Sequence, residues 1–438
     1  MITLERRPFK QIEFIAAQGV TRPEAVRGNP GSFEAPKTKR DYKKLEYVND
    51  EAPESAFITT RCYSPSGKEL WNADHGADVY ALDVDARGSV FQSGGILAGE
   101  LGDSLFHKVT DGACPLVTKM TSGGEPLWAI KHNFGTSPIS RGICCSPDGY
   151  VYYGINSSMI GTSDSLIRKI RADSGATVGV LPMSGFNYPL DGFDSDLSLV
   201  SMSPRITYQL RCNALGHVVA NMNIFLVNTI SGITTNRGYF PHKWVNDIEH
   251  NVFLPATWNI SNLADFDLDD AGNCFAGYVT IWENLQSRIA VLFGPEFSTS
   301  PDLPRWSGTE LAEVRYPDLD SDHRSSAPAV GCSPNGRVIY KQEDNETIST
   351  LVRTGDMEHP VLTPRVVVPG LYCGQDAIAI NDSGVYAYNC GGTDPISTHE
   401  IRAADNSLIL RANHGSNIHA CVVLPNGKVI VAGKRVPK

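Results

Sequence analysis

Seven hairpins recur along this chain, each turning on a glycine. Aligned on Gly88, Gly149, Gly216, Gly272, Gly336, Gly384 and Gly427, they lie 61, 67, 56, 64, 48 and 43 residues apart. Six residues before these glycines stand Leu82, Ile143, Leu210, Phe266, Val330, Ile378 and Cys421; four before stand Val84, Cys145, Cys212, Leu268, Cys332, Ile380 and Val423. All are apolar or cysteine, and a period of two is the mark of a strand with one buried face. Two residues after each glycine, Val90, Val151, Val218, Cys274, Val338, Tyr386 and Val429 open a second strand. Stretches such as Pro147-Asp148-Gly149, Pro334-Asn335-Gly336 and Pro425-Asn426-Gly427 supply the turn, because glycine reaches positive φ cheaply. A catalytic loop occurs once, whereas a structural unit recurs. Cys145 therefore reads as a buried strand thiol rather than a nucleophile.

A second unit follows several hairpins. It ends at Gly76, Gly135 and Gly415, with a looser copy from Arg168 to Gly185, and reads as two more strands joined by a polar turn. Hairpin on hairpin makes four antiparallel strands, the blade of a β-propeller. The last hairpin, Asn417 to Gly433, has no outer pair after it, and the first outer pair, Phe57 to His75, has no inner pair before it. Joining them completes a seventh blade and removes free edges. The expected fold is all-β: a seven-bladed β-propeller over residues 55–438, closed by its N- and C-terminal strands, behind an extended N-terminal arm over residues 1–54. The units within 186–315 are the least regular and are expected to carry long loops.

The arm lacks periodicity and is rich in Pro, Gly and charge. Residues 1–50 hold ten Lys and Arg against seven Asp and Glu, a net of +3, which leaves −13 for the rest of a chain of net −10. Such a segment orders by contact with another surface. Phe9, Ile12, Phe14, Ile15 and Phe33 are the apolar residues expected to anchor it. The acidic balance argues against general nucleic-acid binding. No apolar run follows the first charges, so no signal peptide is expected, and no segment approaches the 18 apolar residues of a membrane span. Ten cysteines without a signal suggest reduced thiols made in a cytoplasm.

Familiar catalytic signatures are absent: there is no Gly-x-Ser-x-Gly, no phosphate-binding Gly-x4-Gly-Lys-Ser/Thr and no His-Glu-x-x-His. Asp265-Phe266-Asp267-Leu268-Asp269-Asp270 resembles a calcium loop but puts Asp270 where glycine is required and Ala276 where the bidentate Glu belongs, so it reads as strand. Asp318, Asp320 and Asp322 lie outside the repeat register and are the weak candidates for a cation, with Asp191, Asp194 and Asp196 weaker still. The bland reading of both groups is a solvated acidic loop. His75, His132 and His414 end outer strands of different blades, too far apart to share a metal, and Trp71 and Trp128 read as packing between blades. No catalytic residue, cofactor or metal is expected.

The outer-strand pattern, Leu70-Trp71 to His75-Gly76 and Leu127-Trp128 to Gly135, resembles propellers of the quinoprotein-like and WD-repeat kinds. A quinoprotein dehydrogenase would need a set of Arg, Asp and Trp side chains around its quinone, and none is identifiable. With the basic arm and irregular blades, the chain is also similar to propellers of tailed-bacteriophage virions. That resemblance implies a non-enzymatic structural protein: a tail nozzle, hub or adsorption component, made in the host cytoplasm and assembling with copies of itself and other structural proteins. Two alternatives stand beside it. One is a cellular scaffold binding a peptide or protein; the other is a propeller hydrolase or lyase with carboxylates in its central channel.

Overall fold

The computed structural model describes residues 57–438 apart from 97–113, 132–139, 156–165, 183–185, 189–199, 229–233, 254–260, 283–284, 294–304, 316–328, 343–346, 353–360, 368–376, 391–397 and 416. Among the described residues there are strands and turns and no α-helix. The arm, with Phe9, Ile12, Phe14, Ile15 and Phe33, lies outside them, as do Asp318, Asp320, Asp322, Asp191, Asp194, Asp196 and His132.

The strands follow the chain in groups. β1 (Phe57–Tyr63) and β2 (Glu69–Ala73) come first. β3 (Asp78–Val84), β4 (Val90–Ile96), β5 (Cys114–Met120) and β6 (Pro126–Lys131) form one sheet; β7 (Ile143–Cys145), β8 (Tyr150–Ile155), β9 (Leu166–Arg171) and β10 (Thr177–Val180) form the next. Then come β11 (Phe186–Tyr188), β12 (Val200–Cys212), β13 (Val218–Asn228), β14 (Thr234–Val245) and β15 (Ile248–Phe253), followed by β16 (Ser261–Leu268), β17 (Cys274–Trp282), β18 (Leu285–Phe293) and β19 (Arg305–Arg315). β20 (Ala329–Cys332), β21 (Val338–Gln342), β22 (Thr347–Val352) and β23 (Val361–Val367) form a sheet, as do β24 (Ile378–Ile380), β25 (Tyr386–Cys390), β26 (Thr398–Arg402) and β27 (Leu408–Asn413). β28 (Ile418–Val423) and β29 (Val429–Pro437) end the chain.

This is a β-propeller arrangement: antiparallel four-stranded sheets laid down one after another. The first hairpin and the last share one sheet, in the order β2-β1-β29-β28, with Phe57 opposite Pro437 and Tyr63 opposite Val429. The innermost strands pack in sequence: β3 on β7, β7 on β12, β12 on β16, β16 on β20, β20 on β24, β24 on β28, and β28 back on β3. The expectation of seven separate sheets needs correction. There are five sheets of four strands and one of nine, because β15 pairs in parallel with β19 through Asn251–Phe253 and Arg305–Ser307. Without this pairing each would be the edge of its own antiparallel group, and an edge presents unpaired N–H and C=O groups that a neighbouring edge can satisfy.

The hairpin turns explain the glycine register. Each of the seven aligned glycines has φ between +76° and +93°. The N–H of Gly88 donates to the carbonyl of Asp85 at 2.9 Å, and Asp85 Oδ1 also accepts from the N–H groups of Arg87 and Ser89, each at 2.9 Å. The core lies between successive sheets. Phe91, Val117 and Trp128 of one sheet pack on Ile143, Val151 and Tyr153 of the next. Cys144, Tyr152 and Ile167 pack in turn on Leu210, Val218 and Trp244. Leu82 and Val90 meet Ala420 and Ile430 where the chain ends come together. Cys332 is buried, but Cys145 and Cys212 are only half-buried.

Candidate active site

On each inner strand the residue five before the turn glycine lies between the two apolar positions and faces the opposite side. The seven are Asp83, Cys144, Arg211, Asp267, Gly331, Ala379 and Val422. Three carry charge, and those three are brought within electrostatic reach of one another.

Asp83 follows from its strand register. Its Oδ1 accepts the N–H of Val84 at 2.8 Å, and its Oδ2 crosses to the next inner strand to accept the N–H of Cys145 at 2.7 Å. Asp267 repeats this geometry: Oδ1 takes the N–H of Leu268 at 2.9 Å, and Oδ2 takes that of Cys332 at 2.8 Å. Asp265, two residues earlier, accepts from Phe266 and Val330, both at 2.9 Å, and from the Gln209 amide. Arg211 joins the set from β12. Its Nε–H donates to Asp267 Oδ1 at 3.1 Å, and its Nη1 donates to the Leu210 carbonyl at 3.1 Å.

Burial pushes the Asp83 carboxyl up to about 6; the N–H donors of Cys145 and Val84 and the Arg211 charge pull the other way, and Asp267 reinforces the rise. Asp265 is fully buried, whereas Asp83 is half-buried and the Arg211 and Asp267 side chains keep 20% and 18% of their surface. A carboxyl raised to about 6 with a guanidinium in electrostatic reach can take up or release a proton at working pH.

The other residues singled out in the sequence are dispersed. His75 and His414 are buried, and His75 Nδ1 shares a 2.6 Å hydrogen bond with Thr118 Oγ1. Trp71 donates from Nε1 to the Ser122 carbonyl at 2.9 Å, and Trp128 packs edge-on to Phe91 at 5.9 Å. Among the described residues no group of three or more His, Cys, Asp or Glu is placed to hold a metal ion. Asp83 and Arg211 escaped the sequence reading. The available signal was their column: charge at a position that other inner strands fill with Cys144, Gly331, Ala379 or Val422.

No protein family matches the chain, and no curated protein sequence is similar to it. Solved structures are similar in fold. The puromycin hydrolase S511A mutant complexed with PGG is 10% identical, with 80% of this chain and 49% of that one covered and a TM-score of 0.46. YCF48 from Cyanidioschyzon merolae is 12% identical over 82% of this chain and 96% of its own, with a TM-score of 0.42. XC5397 from Xanthomonas campestris, a gluconolactonase, is 13% identical over 73% and 87%, with a TM-score of 0.39. The expectation of a non-enzymatic protein is corrected here. Two of these three similar structures are enzymes, and a propeller fold by itself does not decide between a structural and a catalytic role.

Proposed function

We propose that this chain is a seven-bladed propeller enzyme, a hydrolase or lyase, working by carboxylate acid–base chemistry on its inner strands. The nine-stranded sheet then counts as two blades, β12–β15 and β16–β19, joined at their outer edges. The single observation that carries the function is Asp83: a half-buried carboxyl raised to about 6 with Arg211 and Asp267 in electrostatic reach. Above that pH Asp83 accepts a proton, from water in hydrolysis or from a carbon acid in elimination. Arg211 supplies fixed positive charge where negative charge develops on the substrate. Asp267, bonded to Arg211, holds the guanidinium in place.

The virion role expected from the sequence drew on the basic arm over residues 1–54, which lies outside the described residues, and on reduced thiols, irregular blades and the outer-strand pattern, which do not distinguish a structural propeller from a catalytic one. The inner-strand site supports the enzyme reading instead.

The test is turnover. Purified protein is assayed against lactones, carboxylic esters and uronate-containing polysaccharides across pH 4–9. Activity should rise through an apparent pKa near that of Asp83 and fall at least ~100-fold in Asp83→Asn, the scale of general-base loss. Because Asn presents a donor toward the Cys145 N–H, Arg211→Met is assayed alongside, with melting curves for both. Turnover that survives in both folded variants, or none by the wild type on any of the three classes, overturns the proposal.

A further inference from the structure

β7, which carries Cys144, packs on β12, which carries Cys212. The flanking strands show how these positions face each other. Asp83 accepts the backbone N–H of Cys145, and Asp267 that of Cys332; in both, the side chain five before one turn glycine reaches the backbone of the residue four before the next. Cys144 and Cys212 hold those two positions on β7 and β12. The Cys212 side chain packs against the buried cluster that contains Cys144. Cys144 is buried in the apolar layer of Leu210, Val218 and Trp244; Cys212 packs on that layer and is partly open to solvent. Cys145 does not compete for Cys144, because consecutive strand residues point to opposite faces and Cys145 lies against the layer of Phe91 and Val151.

We propose that Cys144 and Cys212 form a reversible disulfide tying β7 to β12, made by exchange with a low-molecular-weight disulfide. The thiol of Cys212, the more open of the two, loses its proton and attacks one sulfur of the small disulfide. A mixed disulfide forms on Cys212 and one small thiolate leaves, taking up a proton. The Cys144 thiol then loses its proton, and its sulfur attacks Cys212 Sγ. The second small thiolate leaves and is protonated. Two protein thiols are oxidised and one small disulfide is reduced to two thiols. Burial pushes the Cys144 thiol well above its usual range, so the second step is the slower one and the mixed disulfide builds up first. This inference does not depend on the catalytic reading.

The experiment is non-reducing peptide mapping. The folded full chain is incubated with oxidised glutathione, quenched by alkylation and digested for mass spectrometry. The expected sequence is a glutathione adduct on Cys212, then a cross-linked peptide pair joining Cys144 to Cys212, both reversed by a dithiol reductant. Cys144→Ala should stop at the adduct, Cys212→Ala should give neither, and Cys145→Ala should leave the cross-link within twofold of wild type. The wild-type map decides the matter whether or not a variant folds. A stable Cys212 adduct that never resolves, an unmodified Cys212, or cross-links distributed among other cysteines would overturn the proposal.

Discussion

Arg435 grips Asp74 with two parallel hydrogen bonds, Nε to Oδ1 at 3.0 Å and Nη2 to Oδ2 at 2.9 Å, between side chains only 3% and 2% exposed. The Phe57 ring lies 4.2 Å from the guanidinium carbon, and the Arg435 N–H donates to Asp78 Oδ1 at 2.9 Å. Removing one partner strands a buried charge. Arg435→Met should destabilise the protein by about 3–5 kcal/mol, and Asp74→Leu with Arg435→Met should recover much of that loss. Urea unfolding of the single and double variants measures both.

The charges around Asp83 act in opposite senses, which gives a two-sided expectation. Arg211 lowers its pKa and Asp267 raises it. Carboxyl-carbon NMR titration should place the wild-type group near 6, move it up in Arg211→Met and move it down in Asp267→Asn. Shifts of the same sign in both variants would mean that burial changes, not charge, govern the site.

Acid should loosen the seam where the chain ends meet. Burial lowers His75, His414 and His419 to about 4 and His399 to about 3, with Arg61 adding to the effect at His399 and His414. A histidine whose folded pKa lies below its unfolded value binds fewer protons when folded. Its contribution is intact above about 6.5 and is lost as pH falls toward 4, on the order of 2–3 kcal/mol per isolated residue. Asp83, raised to about 6, works in the opposite direction, but four histidines outweigh it. Melting temperature should drop steeply between pH 6.5 and 4, and less steeply in His414→Phe.

Two glycines should respond differently to alanine. Gly149 has φ of +84° with open space around an added Cβ, so Gly149→Ala should cost about 1–2 kcal/mol of backbone strain. At Gly433 an added Cβ would fall on the carbonyl oxygen of Asn417. Gly433→Ala must move backbone and should lower the melting temperature well beyond Gly149→Ala.

The fold was legible because the strand after each turn glycine buries the same position in every unit. Val90, Val151, Val218, Val338 and Val429 are all buried in the strands that their spacing predicted. The parallel joint of β15 and β19 was not legible, since edge pairing depends on where loops carry the outer strands and not on side-chain alternation. The site was missed for a related reason. Reading for apolar alternation discards the residue between, and Asp83 and Arg211 are such residues. Asp265 and Asp267 were seen but read as a failed calcium loop; their carboxylates instead hold the N–H groups of Val330 and Cys332.

The shared sheet of β1 and β29 also sets an order of events during synthesis. Asp74 and Arg435 are 361 residues apart, so at typical ribosomal speeds of ~5–20 residues per second the first hairpin waits on the order of tens of seconds for its partners. Through that interval the inner edge of β1 is unpaired and open to the wrong strand. The pairing that closes this sheet therefore comes after every other described strand has been synthesised.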